Sequence, residues 1–385
     1  MNPIYADMPT SVFEEISILA RKTGAINLGQ GFPDHAGPLD VRQAAAEAVL
    51  NGSNQYPPMM GTDRLRGAVA DHYRRFHGLA FEAGDVLVTS GATEALSAAL
   101  LALIAPGDEV LLIQPMYDAY LPLVRRAGGT AKLVAMGPPA WRLPVDAIAA
   151  AIGPRTRLVV LNNPLNPIAR VFDEGEIAAL AALCVRHDLI AVCDEVWEHV
   201  LFDGRRHLPL IAAEGMRERA VKIGSAGKIF SLTGWKVGFV VAVPALLGPI
   251  ARAHQFLTFT TPPNLQEAVA YGLDKDEAYF REMRLAYQRS RDRLAGRLAA
   301  AGYAVLPSEG TYFLCVDLAA SGIPLGDRAF CLRAIEEAGV AAIPISAFYG
   351  ENAPTSVIRL CFAKSDAVLD EAATRLAAFA EKVRN

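Results

Sequence analysis

Residues 157–196 read RLVVLNNPLNPIARVFDEGEIAALAALCVRHDLIAVCDEV. Two apolar runs, "RLVVL" (157–161) and "LIAVC" (189–193), enclose a helical pattern, "EGEIAALAALCVRH" (174–187). Apolar runs that do not alternate with polar residues are strands buried on both faces. A helix between two of them is the connection that parallel strands require. The same alternation extends both ways. "VLVT" (86–89) precedes "ATEALSAALLALIA", "VLLI" (110–113) precedes "DAYLPLVRRA", and "AVKIGS" (220–225) and "VGFVVAV" (237–243) end the series. The pattern predicts an α/β chain whose larger part is a mostly parallel sheet covered by helices.

After Pro262-Pro263 the character changes. A long arginine-rich helical pattern runs from about 276 to 300. The runs "TYFLCVDL" (311–318), "VAAIPI" (340–345) and "VIRLCF" (357–362) follow as strands of a smaller α+β unit closed by a C-terminal helix. The expected organisation is an N-terminal arm and part of the small domain over 1–45, a large domain over 46–275 and a small C-terminal domain over 276–385. With 385 residues, 52% of them hydrophobic, the chain can bury a substantial core. A net charge of -4 with no basic block leaves no footprint for nucleic acid or an anionic membrane. The start lacks the apolar core of a signal peptide, and "FVVAVPALLGPIA" is interrupted by Pro244, Gly248 and Pro249, too short to span a bilayer. Cys184, Cys193, Cys315, Cys331 and Cys361 are scattered and read as reduced core residues of a cytoplasmic protein. No histidine spacing calls for a metal.

In an open α/β sheet, ligands bind beyond the carboxyl ends of the strands. After "VLVT", Ser90-Gly91-Ala92-Thr93 opens a helix whose free N–H groups suit an anion, although an ordinary Ser or Thr N-cap reads the same way. After "RLVVL", Asn162, Asn163 and Asn166 either contact a ligand or simply form a turn. After "LIAVC", Asp194 ends a buried strand and needs a cationic partner, from the protein or from a ligand. After "AVKIG" comes "GSAGKIFSLTGWKVG" (224–238), where Lys228 among small residues can be desolvated, the requirement for a Schiff-base lysine. A nucleotide P-loop is excluded by Lys222 and Ile229, and a dinucleotide fingerprint at "GQGFPD" by Asp34. An anion site, an acid for a ring cation and a lysine for an aldehyde together describe pyridoxal phosphate.

The chain resembles the class I/II aminotransferases of fold type I over essentially its whole length. The resemblance is carried by "NLGQGFPD", "NQYPPMMGTDRLR", "SGATEA", "NNPLNP", "CDEVW", "SAGKIFSLTGWKVG" and "IRLCF". Within the class it is most similar to the branch of kynurenine–oxoglutarate (glutamine) transaminases, cysteine-conjugate β-lyases and bacterial methionine aminotransferases. The resemblance implies a large domain with a mostly parallel seven-stranded sheet, a smaller α+β domain and a homodimer with shared active sites. It implies that Lys228 carries the cofactor and moves the α-proton, that Asp194 pairs with the pyridinium nitrogen, and that Asn166 donates to the phenolic oxygen. Tyr117 and Val196 would cover the two ring faces. Gly91, Ala92, Ser225 and Lys236 would hold the phosphate, reached by Tyr56 from the neighbouring subunit. Arg359 would clamp the substrate carboxylate with Asn166 and the Gly31 backbone, a planar fork matching a carboxylate bidentately.

Three positions depart from the family pattern. Trp197 stands where the family usually has a tyrosine that contacts the phenolic oxygen; an indole N–H is a donor only, so Trp197 either bonds at a different reach or packs. Lys236 replaces an arginine common elsewhere in the class. "NPIAR" replaces "NP-(T/L)-G", placing Ala169 where the loop usually has glycine. The implied activity is a ping-pong transamination between an L-amino acid and a 2-oxo acid. The absence of an identifiable second arginine favours aromatic, sulfur-containing or glutamine-like substrates, and Phe259 near the partner's pocket suits them unless it is a core aromatic. The alternatives are C–S β-elimination from cysteine conjugates or cystathionine, a succinyldiaminopimelate-type aminotransferase, and a non-catalytic binding module of the same fold.

Overall fold

The structure is a computed structural model that describes residues 1–6, 8 and 10–384. Its strands in chain order are β1 (Ile26–Asn27), β2 (Val86–Thr89), β3 (Glu109–Gln114), β4 (Thr130–Ala135), β5 (Thr156–Asn162), β6 (Ile190–Asp194) and β7 (Ala220–Ser225), followed by β8 (Gly238–Val241), β9 (Ala304–Val305), β10 (Phe313–Asp317), β11 (Val340–Ala341), β12 (Ile343–Pro344) and β13 (Val357–Cys361). Seven of them form one sheet in the order β2-β8-β7-β6-β5-β3-β4. Only β8 runs against its neighbours, pairing antiparallel with both β2 and β7. The continuous apolar runs of the sequence are strands of this sheet; β3, β7 and β8 inside it, and β2 at one end, are buried along their whole length.

Two smaller sheets come from the rest of the chain. One is antiparallel, in the order β12-β13-β10-β9; the other joins β1 to β11 in parallel, with Ile26 opposite Val340. Segments from opposite ends of the chain thus share one unit. The arginine-rich pattern forms a single helix, Glu277–Ala300, whose first turn is capped by Asp276 accepting from the Tyr279 N–H; it packs on the C-terminal helix Asp366–Arg384. Among the described residues no helix is long and apolar enough to cross a membrane. The parallel register sets Asn162 beside Asp194, so the ends of β5 and β6 reach the same edge of the sheet.

Candidate active site

The helix Gly91–Leu103 starts at this edge directly after β2, and the Ser90 hydroxyl does not cap it. Its first N–H groups are left for a ligand. Gly91 has φ 75°, a conformation glycine adopts without strain, and a Cβ built on it would lie 3.5 Å from Lys236 Nζ. A Cβ on Gly238 would lie 2.6 Å from the Gly91 carbonyl carbon and 2.7 Å from the Ala92 nitrogen, so β8 and the helix start meet only because residue 238 is glycine. Ser225, at the end of β7, makes no side-chain cap bond to the short helix Ala226–Ile229 that follows it. Among the described residues Lys236 forms no ion pair. A hydroxyl, an ammonium and an uncapped helix N-terminus thus stand free together, the donor set that binds a phosphate.

Asp194 is buried. Its Oδ2 accepts from the Tyr120 hydroxyl at 2.5 Å, while Oδ1 has no partner among the described residues. A buried acceptor left bare costs about 1–3 kcal/mol, so this oxygen is built for a donor the protein does not supply. Burial raises the carboxyl above its usual range, against the bonds from Tyr120 and the Val196 backbone. The protonated nitrogen of a pyridine ring would supply such a donor and would match the carboxylate in charge. Of the three asparagines beside it, two serve the loop. Asn162 donates to the Asp194 carbonyl at 2.8 Å and accepts from the Asn166 N–H, and Asn163 accepts from the Phe172 N–H. Only Asn166 turns its amide to the site. Ala169 takes φ 64°, the left-handed conformation that glycine fills more easily.

Lys228 lies on the short helix after β7. Burial, reinforced by Arg359 and Lys236, lowers its amine to about 8 against the opposing pull of Cys361 and Asp194. Its Nζ donates to the Tyr312 hydroxyl at 3.1 Å and lies 4.7 Å from the centre of the Trp197 ring. Trp197 itself packs: it is 2% exposed and meets the Tyr312 ring edge-on at 4.3 Å and the Phe313 ring at 5.6 Å.

Arg359, in the centre of β13, is 3% exposed. Its fork donates to Asn166 Oδ1 at 2.8 Å and to the Gly29 carbonyl at 2.9 Å, and the Phe313 ring lies 3.9 Å beneath it. Among the described residues no carboxylate pairs with it, and burial lowers its guanidinium to about 10. Its hydrogen-bond partners are carbonyl oxygens and its walls ring faces, with the Asp118 carboxylate acting only at longer range, so the fork is suited to receive an anion. The fork's backbone partner is the Gly29 carbonyl, and the Gly31 carbonyl accepts from the Tyr312 hydroxyl. Tyr117 is half-buried, edge-on to Tyr120 at 5.8 Å, and Val196 is buried. Tyr56 is 83% exposed and touches the ring edge of Phe259 at 5.5 Å.

Sequence reasoning missed Tyr120, Tyr312 and Gly29. Tyr120 stands in the same "QPMYDAY" as Tyr117, so the spacing of the two tyrosines was its available signal. Also missed was a buried ion network immediately after Asp194. Lys222 Nζ pairs with Glu195 at 2.6 Å and with Glu198 at 2.8 Å; His207 bonds Glu195, and His77 and Tyr73 bond Glu198. "AVKIGS" hides Lys222 inside an otherwise apolar strand.

A lysine with a depressed pKa, a buried acid with a bare oxygen and a phosphate cradle at the edge of an open α/β sheet define a pyridoxal-phosphate enzyme. The sequence profile of the family "Aminotransferase class I and II" matches residues 23–376. The chain is 44% identical to a probable N-succinyldiaminopimelate aminotransferase of Mycobacterium tuberculosis, over 97% of both chains. It is 42% identical to the methionine aminotransferase of Escherichia coli, over 95% of both. A solved structure of N-succinyldiaminopimelate aminotransferase from Mycobacterium tuberculosis superposes with a TM-score of 0.94 at 43% identity, covering 98% of this chain and 99% of that one. This chain belongs to the class I and II aminotransferases and is a pyridoxal-phosphate-dependent enzyme of fold type I.

Proposed function

We propose that the enzyme transfers the amino group of an aromatic, sulfur-containing or glutamine-like L-amino acid to a 2-oxo acid in two half-reactions at one site. The carrying observation is Arg359: a buried guanidinium that pairs with no carboxylate among the described residues, facing Asn166 and walled by the rings of Phe313, Phe348 and Phe13. It binds the α-carboxylate common to every amino acid and fixes where the α-carbon lies. The preference for aromatic, sulfur-containing or glutamine-like side chains rests on the sequence, which offers no identifiable second arginine for a distal carboxylate. Pyridoxal phosphate, when bound, supplies an electron sink for the α-carbon. Asp194 would hold a proton on the ring nitrogen, Asn166 would donate its amide N–H, and Tyr117 and Val196 would confine the ring. Gly91, Ala92, Ser225 and Lys236 would hold the phosphate. Trp197 would brace Lys228, whose Nζ takes the substrate's α-proton as a neutral amine and gives it up again.

Tyr56, exposed beside Phe259, would complete the phosphate site of a second copy across a homodimer interface. A cytoplasmic setting is supported by the five cysteines, all free and buried.

The similarity to proteins named for N-succinyldiaminopimelate supports a second reading, in which a distal carboxylate is accepted. A substrate panel separates the two. Methionine, phenylalanine and glutamine, offered with several 2-oxo acids, should exceed aspartate and N-succinyldiaminopimelate in kcat/KM by at least about tenfold, the worth of one well-placed contact. A preference for N-succinyldiaminopimelate would establish the second reading. Pyruvate released from cysteine conjugates without a 2-oxo acid acceptor would mark β-elimination.

A further inference from the structure

Tyr312 has no place in the roles assigned above, yet its hydroxyl is the protein group bonded to the Lys228 amine. Its position is strongly determined. The preceding residue, Thr311, is fully buried and adopts φ 63°, a conformation that β-branched residues rarely take. Two bonds hold it there: the Thr311 N–H donates to the Val200 carbonyl at 2.8 Å, and the Phe313 N–H donates to Thr311 Oγ1 at 3.1 Å. Gly310 clears the way, since a Cβ there would lie 2.9 Å from the Val200 carbonyl oxygen. The strained turn carries the Tyr312 ring against Trp197 at 88°, and the ring is 1% exposed. Strain maintained by its surroundings next to a reacting group marks a positioned side chain.

The hydrogen-bond roles follow from counting. A phenol has one proton, and Tyr312 gives it to the Gly31 carbonyl. Toward Lys228 the same oxygen can only accept. Burial pushes the phenol well above its ordinary range, so it keeps that proton and is not itself a base.

We propose that Tyr312 is the residue that aims the free amine of Lys228. Its oxygen takes one N–H of Lys228 and so fixes where the amine's lone pair points. Nζ then collects the substrate's α-proton, becomes an ammonium held by the same oxygen, and releases the proton later. The phenolic proton stays on Tyr312, pointed at the Gly31 carbonyl, throughout. Trp197, which has no hydroxyl to offer, acts as the wall that keeps the phenol in place. This assignment rests on Lys228 being the lysine that moves the proton.

The test is Tyr312→Phe, measured on holoenzyme and on the cofactor-free full chain. In single-turnover reactions with methionine, the half-reaction rate should fall about 10–100-fold, the usual effect of a misaimed reacting group. The isotope effect with α-deuterated methionine should rise, while cofactor affinity stays within about twofold, as expected for a group that does not hold the phosphate. In the cofactor-free chain, the pH midpoint for labelling Lys228 with an amine-reactive reagent should move below its wild-type value, because an acceptor stabilises the ammonium more than the amine. The Tyr312→Phe melting temperature shows whether the fold survives. If the variant is destabilised, Thr311→Gly, which relaxes the turn but keeps the phenol, should lower the same rate and raise the same isotope effect. Wild-type rate and labelling midpoint in Tyr312→Phe would overturn the proposal. Lys228→Ala distinguishes that outcome from failure of the underlying reading: if Lys228→Ala stays active, the reading of Lys228 fails with it; if Lys228→Ala is dead, only Tyr312 is misassigned.

Discussion

Lys228 and Lys236 belong to one stretch of small residues, and the structure gives them different surroundings. Lys228 has a depressed pKa and touches aromatic rings; Lys236 is exposed at the mouth of a helix N-terminus. Lys228→Ala should therefore lower turnover by at least about 10³-fold, within the range for losing an essential acid–base group, in a chain that still binds cofactor. Lys236→Ala removes one charge-assisted bond worth about 1.5–3 kcal/mol, so cofactor affinity should drop about 10–150-fold with catalysis recovered at saturating pyridoxal phosphate. Absorbance titration of both variants checks the division, and equal, total loss with cofactor bound in both would refute it. Single residues at strand ends stood out in the sequence because cost and chemistry coincide there: an acid in a buried strand is expensive enough to demand a partner, from the protein or from a ligand. Tyr120 and Tyr312 were not legible, since each meets its partner across 74 or 84 residues of chain and a tyrosine alone carries no directional signal.

Among elements, the meeting of β8 with the helix Gly91–Leu103 governs the phosphate cradle. A methyl at position 238 would press on backbone atoms of Gly91 and Ala92, which cannot rotate away as a side chain can. Gly238→Ala should cost about 1–3 kcal/mol in stability, the usual penalty for overpacking. It should also weaken cofactor binding at least about tenfold, since 1.4 kcal/mol lost at the cradle is that factor. Gly234→Ala is the control, because a Cβ there meets nothing within 4 Å. Thermal melts and cofactor titrations of the pair decide it; wild-type affinity in Gly238→Ala would show that the cradle yields. The central strands were readable because burial on both faces leaves unbroken apolar runs. Two-residue strands such as β1 and β9 leave no periodicity to read; the run "VAAIPI" was legible as one extended stretch, but tertiary pairing splits it into β11 and β12, which belong to different sheets.

Across the whole molecule, the buried ionisable groups set a limit on acid tolerance. The helix Asp63–His77, the turn after β6, the loop at His207 and β7 all contribute to one network, and His72 and His199 bond each other at 2.7 Å as neutral rings. Burial lowers His72 to about 3 and lowers His199 and His207 as well. The unfolded chain accepts these protons near pH 6.5 and the folded chain refuses them, so stability falls as pH drops below about 6.5. Burial would raise the Glu195 carboxyl, but the Lys222 charge, aided by the hydrogen bonds from Lys222 and His207, outweighs it and holds it at about 2; Glu198 is lowered by the Lys222 charge and the His77 hydrogen bond. The stabilisation from these carboxylates is complete above the unfolded value of about 4.3 and is lost as pH falls toward 2. Histidines therefore act first: His72 and His199, both held far below their ordinary value, each contribute a slope approaching about 1.4 kcal/mol per pH unit below 6.5, and His207 adds in the same direction. Urea unfolding at pH 7, 6, 5.5 and 5 should show the free energy declining throughout. His72→Gln keeps a hydrogen-bonding group beside His199 but removes one titrating ring, and should reduce the slope by about 1.4 kcal/mol per unit. A stability that is flat over this range, or a slope unchanged in His72→Gln, would mean that the buried imidazoles do not control acid unfolding and that the carboxylates alone set its onset.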